Sequence, residues 1–352
     1  MKYRRARLTV ALLRYLLVTA LAFLAVLAYA GVGTTEIAGL EGNGPVTMFY
    51  PSSATATPLE RGPFKLALAL NGPVVQGNGR LVVLSHGSGG SPWVHSDLAQ
   101  RLVEAGFVVA VPEHDGDNWH DASKRGPASW KRRPSEVSRA IDAVAQDSRF
   151  APLLSLDRVG MYGMSAGGHT ALTLAGGRWS PSALLKHCEA HLSDDFQTCV
   201  GAATRLRGNF LDAVKIGVAM PIIRHRLDDS AWYSHEDSRV QAIVAEVPFA
   251  ADFDFQSLAH PRVPLGMVVL GQDQWLAPRF HAGAVLKTCT ACEVLADVPL
   301  AGHGSLLSPQ PTRLGGIEGE LLRDPPGFDR SIVPAAHAAI VGFFRRQLLV
   351  LK

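Results

Sequence analysis

Val159-Gly160-Met161-Tyr162-Gly163-Met164-Ser165-Ala166-Gly167-Gly168 is the stretch whose reading decides the fold. An apolar run ends in Gly-x-Ser-x-Gly, and Ala171, Leu172, Leu174 and Ala175 follow as a helix signal. The pattern predicts a strand that turns sharply into a helix, with Ser165 at the apex. Glycine suits positions 163 and 167 because a side chain there would strike the neighbouring strand or helix. The Ser165 hydroxyl would then stand clear of the sheet, beside helix N-terminal N–H groups able to stabilise an oxyanion. Gly-x-Ser-x-Gly is common by chance, so its weight comes from the flanking strand and helix and from partners elsewhere in the chain.

Upstream, residues 45–50 alternate and stop at Pro51-Ser52-Ser53, which predicts a strand closed by a turn. Residues 64–70 form another strand or part of a loose excursion. Residues 80–85 carry Leu81, Val82, Val83 and Leu84 in an unbroken apolar run, the sign of a strand buried on both faces. A helix over 96–105, with Leu98, Leu102 and Val103 on one side, stops at Gly106. A strand at 107–112, a polar loop at 113–126 and a helix at 134–144 lead to the Ser165 strand at 157–162.

Downstream, the alternation breaks at 177–238, a long mixed segment rich in His, Arg and Asp. Periodic Phe210, Leu211, Val214, Ile216 and Val218 argue for a helical, lid-like insertion over the site rather than disorder. Strands at 240–247, 264–270 and 293–298 and helices at 279–286 and 332–349 complete the chain. The reading is an α/β fold, that of an α/β-hydrolase: a mostly parallel central sheet with helices on both faces.

The chain has 352 residues, 47% of them hydrophobic, and a formal net charge of +3. On length alone two small domains would also fit; the alternation favours one large domain from residue 34 to 352. Lys2, Arg4, Arg5, Arg7 and Arg14 lie in the first fourteen positions with no acid among them, so the remainder is near neutral and gives no reason for nucleic-acid binding. The uncharged apolar run at 15–33 reads as a cleaved export signal, with Ala28-Tyr29-Ala30 as its cleavage site, or as a retained membrane anchor. Either places the domain outside the cytoplasm, periplasmic, secreted or held at the inner membrane. A Cys188–Cys199 disulfide fits such a compartment. Cys289 and Cys292 form C-x-x-C, read as a structural bridge or two quiet thiols rather than a redox centre. A zinc site from Cys188, His191 and Cys199 lacks a fourth ligand.

Ser165 needs a base, and in this fold the partners follow in the order Ser, acid, His. His303, between Gly302 and Gly304 just beyond the last strand, is the expected base. Asp273, after the strand at 264–270, is the expected orienting acid, with Asp252 and Asp254 as runners-up. His337 falls inside the closing helix and is a poor rival base. Two N–H groups should form the oxyanion hole, that of Ala166 and that of Ser88 in His86-Gly87-Ser88-Gly89-Gly90. The cluster His114-Asp115-Gly116-Asp117, with Trp119, His120 and Asp121, reads as a rim loop in preference to a metal site. No metal or organic cofactor is expected.

Leu84-Ser85-His86-Gly87-Ser88-Gly89-Gly90, Val111-Pro112-Glu113-His114-Asp115-Gly116-Asp117, Arg133-Pro134-Ser135-Glu136-Val137-Ser138-Arg139-Ala140 and Gly163-Met164-Ser165-Ala166-Gly167-Gly168 occur in that order. Together they resemble the bacterial exported "predicted dienelactone hydrolase" group, relatives of the platelet-activating-factor acetylhydrolases. The resemblance implies a serine-dependent carboxylic-ester hydrolase acting through an acyl-enzyme on a small-molecule or lipid-like ester. Genuine dienelactone hydrolases use a cysteine nucleophile where this chain has Ser165, so their substrate is not implied. In the acetylhydrolase relatives the acid follows the earlier strand, which keeps Asp252 and Asp254 beside Asp273. An acyltransferase with the same triad and a non-catalytic cell-envelope binding module are the alternatives.

Overall fold

In the computed structural model, residues 30–313 and 315–350 are described. Among the described residues there are twelve strands, the first five consecutive and the later ones interleaved with helices: β1 Gly31–Ile37, β2 Val46–Ser52, β3 Thr57–Arg61, β4 Phe64–Leu70, β5 Leu81–Ser85, β6 Val108–Pro112, β7 Val159–Met164, β8 Arg178–Trp179, β9 Val240–Glu246, β10 Phe253–Asp254, β11 Leu265–Leu270 and β12 Glu293–Val298. Ten of them form one sheet in the order β12-β11-β9-β7-β5-β6-β2-β1-β4-β3. From β12 to β6 every pairing is parallel. β2 joins antiparallel to β6 and β1 antiparallel to β2, while β4 lies parallel to β1 and antiparallel to β3. The protein is therefore α/β with a mostly parallel central sheet.

Strand alternation divides the core in two. Leu81 and Val83 of β5 face the helix Pro127–Gln146 through Val137 and Ile141. Val82 and Leu84 face the helices Ser96–Glu104 and Val333–Leu348 through Leu102, Ile340 and Phe344. Each parallel strand near the centre is buried along its whole length, because helices cover both sides.

Three local expectations need correction. β1 begins at Gly31, so the last residues of the run expected to be a leader belong to the sheet; the segment before Ala30 lies outside the described residues. β3, too exposed to show an apolar signal, was not anticipated. The helix expected over 134–144 begins at Pro127 and carries Pro134 in its interior. Pro127 supplies the first-turn proline, where the missing N–H costs nothing, and the two extra turns carry the buried Trp130 and Arg133 toward the sheet edge.

The insertion folds as the helices Pro181–His191, Phe196–Val200 and Leu211–Arg226, with β8 paired to β10 outside the main sheet. Cys188 and Cys199 are bonded, as are Cys289 and Cys292. Among the described residues no helix is long and apolar enough to cross a membrane.

Candidate active site

β7 ends at Met164 and the helix Ala166–Leu174 starts two residues later, leaving Ser165 to make the whole turn. Its φ of 58° lies in the left-handed region that non-glycine residues rarely occupy. A Cβ on Gly163 would collide with the carbonyl of Gly167, and one on Gly167 with the carbonyl of Ser85. Both glycines are thus fixed by close backbone approach, as the sequence reading required. The segment after β9 braces the turn from the other side. Ser165 donates its N–H to the Glu246 carbonyl at 3.1 Å, and Phe249 donates to the Ser165 carbonyl at 3.1 Å. Val247, between them, holds a φ of 35°, an outlier for a β-branched residue. Strain on both sides of the serine is kept only because the packed sheet imposes it.

The Ser165 Oγ lies 3.0 Å from His303 Nε2, and His303 Nδ1 lies 2.7 Å from Asp273 Oδ2. Asp273 follows β11 and His303 follows β12, so the sheet edge brings together residues 138 positions apart in the chain. The other Asp273 oxygen accepts the N–H groups of Trp275 at 2.8 Å and Leu276 at 2.9 Å. Those bonds fix the carboxylate, which fixes the ring with Nδ1 protonated and Nε2 free to accept from the serine. Asp273 and His303 are almost wholly buried, 4% and 3% exposed.

The runner-up acids are engaged elsewhere. Asp252 Oδ2 meets His169 Nε2 at 3.2 Å, one helical turn beyond Ser165, and Asp254 pairs with Arg178 at 2.6 Å. His337 lies in the closing helix with its Nε2 3.2 Å from the Leu306 carbonyl.

The amide N–H groups of Ser88 and Ala166 donate to no protein acceptor among the described residues. Gly87 is pressed against the turn, where a Cβ would sit 3.4 Å from that of Ser165. Ser88, Ala166, Ser165 and His303 all line one cleft of about 1270 Å³. Its remaining wall is largely apolar, and includes Trp130, Leu184, Val218 and Leu276. Leu184 and Val218 come from the insertion. Val214, Val218 and Ile222 lie on one side of the helix Leu211–Arg226 and remain half exposed at the mouth.

The titratable members of the 114–121 cluster each have a partner, Asp121 accepting the Ser123 N–H. His114 bridges Ser85 and Glu136, Asp117 pairs with Arg133, Asp115 with Lys124, and His120 sits 3.5 Å from Glu113. Cys188 and Cys199 are joined to each other, so neither offers a thiolate beside His191. Among the described residues no group of three or more His, Cys, Asp or Glu side chains is placed to hold a metal ion.

Several residues at the site were not singled out individually from the sequence. Glu246, buried at the end of β9, has its carboxyl pushed up to about 7 by burial, with Tyr162 and His303 opposing the rise. Arg133, Glu136 and His114 stand behind the Ser88 loop. His114 belongs to the expected rim loop, whereas the only sequence signal for Arg133 and Glu136 was membership of the motif at 133–140 that carries the family resemblance. No protein-family model and no curated protein sequence matches the chain.

Proposed function

We propose that the chain is an α/β-hydrolase, akin to the group its motifs resemble, and that it hydrolyses carboxylic esters through an acyl-enzyme. The observation that carries this reading is the unbroken series Ser165 Oγ, His303, Asp273 at 3.0 and 2.7 Å, opening onto a cleft beside two free amide N–H groups. Ser165 Oγ bonds to the ester carbonyl carbon while its proton passes to His303 Nε2. Negative charge collects on the carbonyl oxygen, where the N–H groups of Ser88 and Ala166 receive it. The C–O bond to the alcohol breaks as His303 returns the proton to the leaving oxygen. Water, deprotonated by His303, then attacks the acyl-enzyme and regenerates Ser165. Asp273 keeps the imidazole in the required tautomer and stabilises the imidazolium.

The apolar wall of the cleft supports a lipid-like or otherwise apolar acyl or alcohol portion. Disulfides at Cys188–Cys199 and Cys289–Cys292 support a location outside the cytoplasm, in keeping with the basic, apolar N-terminal segment as an export signal or anchor. Reaction of the purified protein with a fluorophosphonate, followed by peptide mapping, tests the chemistry. A single adduct on Ser165 that disappears in Ser165→Ala is the expected result. No adduct, or equal labelling of the variant, overturns the proposal. A panel of p-nitrophenyl esters of rising chain length then reads the acyl preference.

A further inference from the structure

Arg133 and Asp117 are both fully buried and lie 2.9 Å apart, behind the loop that carries Ser88. Burial by itself would raise the Asp117 carboxyl, but Arg133 and the bonds from Ser88 and Gly89 hold it down at about 2. A buried ion pair is a poor source of net stability, since desolvating both charges offsets most of their attraction. What the pair touches is more informative. Arg133 donates from Nη1 to the His86 carbonyl at 2.5 Å and from Nη2 toward the Gly87 carbonyl at 3.4 Å. Nη2 also reaches the Asp117 carbonyl at 3.1 Å, and Nε donates to Ser129 Oγ at 2.9 Å. The second Asp117 oxygen accepts the Ser88 hydroxyl at 2.6 Å and the Gly89 N–H at 2.9 Å. Four consecutive residues, His86 to Gly89, are thus tied to one ion pair.

The Gly87 carbonyl is held from three directions. His86 Nδ1 lies 2.8 Å away and the Gly90 N–H 3.0 Å away, and Arg133 reaches it as well. In a planar trans peptide the C=O and the following N–H point in opposite directions. Fixing the Gly87 carbonyl toward the protein interior therefore aims the Ser88 N–H, which has no protein acceptor, the other way. We propose that the Arg133–Asp117 pair is a positioning device, orienting the Gly87–Ser88 peptide so that the Ser88 N–H meets the oxygen that gains charge when Ser165 attacks. The two residues act through Ser88 and do not touch substrate. The proposal rests on the ester-hydrolase reading and adds to it two residues that the triad does not contain.

The test compares wild type, Asp117→Asn, Ser88→Ala and Ser88→Thr in the full chain. It measures kcat and KM for p-nitrophenyl butyrate. It also measures inhibition by a trifluoromethyl ketone, which forms a tetrahedral adduct, and by an ether of the same shape, which cannot. Loss of an aligned oxyanion donor costs about 100-fold or more in kcat. Asp117→Asn is accordingly expected to lower kcat by about 30–300-fold with KM changed less than about 3-fold. Ketone affinity should fall by a similar factor while ether affinity stays. Ser88→Ala should lose about 5-fold in kcat, and Ser88→Thr, which keeps the hydroxyl, should recover most of it. A cooperatively melting Asp117→Asn with kcat within about 2-fold of wild type, or equal loss of both inhibitors, overturns the proposal. If Asp117→Asn does not fold, wild-type kcat in Ser88→Ala overturns it instead. Wild type without turnover and without a Ser165 adduct removes the hydrolase reading itself, an outcome seen before any variant of the pair is made.

Discussion

Ser85 and Ser165 close neighbouring strands, with Ser85 of β5 paired to Gly163 of β7, and each heads a series of serine, histidine and carboxylate. Ser85 Oγ lies 2.7 Å from His114 Nε2, and His114 Nδ1 lies 2.6 Å from Glu136 Oε2. On distances alone the Ser85 series is the tighter of the two. Its surroundings are nevertheless those of a core. Ser85 and His114 are 0% exposed, whereas Ser165 lines a cleft. Ser85 continues the extended β5, while Ser165 sits at a positive φ. Burial and the nearby Arg133 hold the His114 imidazole well below its usual range, so it stays neutral. Burial pushes the Glu136 carboxyl up to about 7 against the pull of Arg133. The same three groups, joined in the same order, serve as internal cross-linking at one strand end and as a candidate catalyst at the next. Access, a strained backbone and free amide donors separate the two.

The sharpest way to break this comparison is to delete the two serines in turn. Ser165→Ala should cut kcat by about 10⁴–10⁶-fold and abolish fluorophosphonate labelling. Ser85→Ala should leave labelling intact and kcat within about 10-fold, as expected of a group outside the reaction. Reversal of that pattern would move the chemistry to Ser85 at the end of β5. The acids come next. Asp273→Asn should lower kcat by about 10⁴-fold through the wrong histidine tautomer, and Glu136→Gln by less than about 10-fold, both read from steady-state kinetics.

Stability should show the opposite ranking. His114→Ala removes a buried ring bonded on both sides and should cost about 2–4 kcal/mol in urea unfolding. His303 is also bonded on both sides, but it lines the cleft, where water can replace the ring, so His303→Ala should cost less, about 1 kcal/mol. Stability should also depend on pH. Glu136 and Glu246 have native carboxyls raised from 4.5 to about 7, so the folded state retains protons that the unfolded chain has lost. Their contribution is complete below about 4.5 and fades as pH rises through about 7, by about 1–3 kcal/mol for each carboxyl. The difference in urea midpoint between wild type and Glu136→Gln, followed from pH 5 to 8, checks this, since buried histidines such as His114 shift the wild-type curve in the opposite sense.

The Ser165, Asp273 and His303 series was legible because each residue sits just past the end of a strand; the apolar runs at 159–164 and 265–270 locate two of those ends, and the half-exposed strand at 293–298 the third. Choosing Asp273 over Asp252 and Asp254 was a harder matter. All three follow strands, and only the side-chain partners, His303 as against His169 and Arg178, separate them. The helix start at Pro127 was obscured because Pro134 also reads as a first-turn proline. β1 was hidden by its continuity with the apolar residues before it. The roles of Arg133 and Glu136 depend on contacts made across 16 to 47 positions of sequence, and a helical stripe of one element does not reveal which loop it will touch.

β1 has a practical bearing on how this protein is produced. The ribbon of β3 and β4 is stitched to the large sheet at Gly33↔Ala69 and Thr34↔Leu70. Trimming a recombinant gene at codon 34, where hydropathy suggests the leader ends, would delete half of those stitches. It would also strip Gly31, Val32 and Gly33 from their antiparallel partners Ser52, Pro51 and Tyr50. A soluble version should start no later than Gly31, since each residue removed beyond that point leaves an open hydrogen-bonding edge for another molecule to occupy.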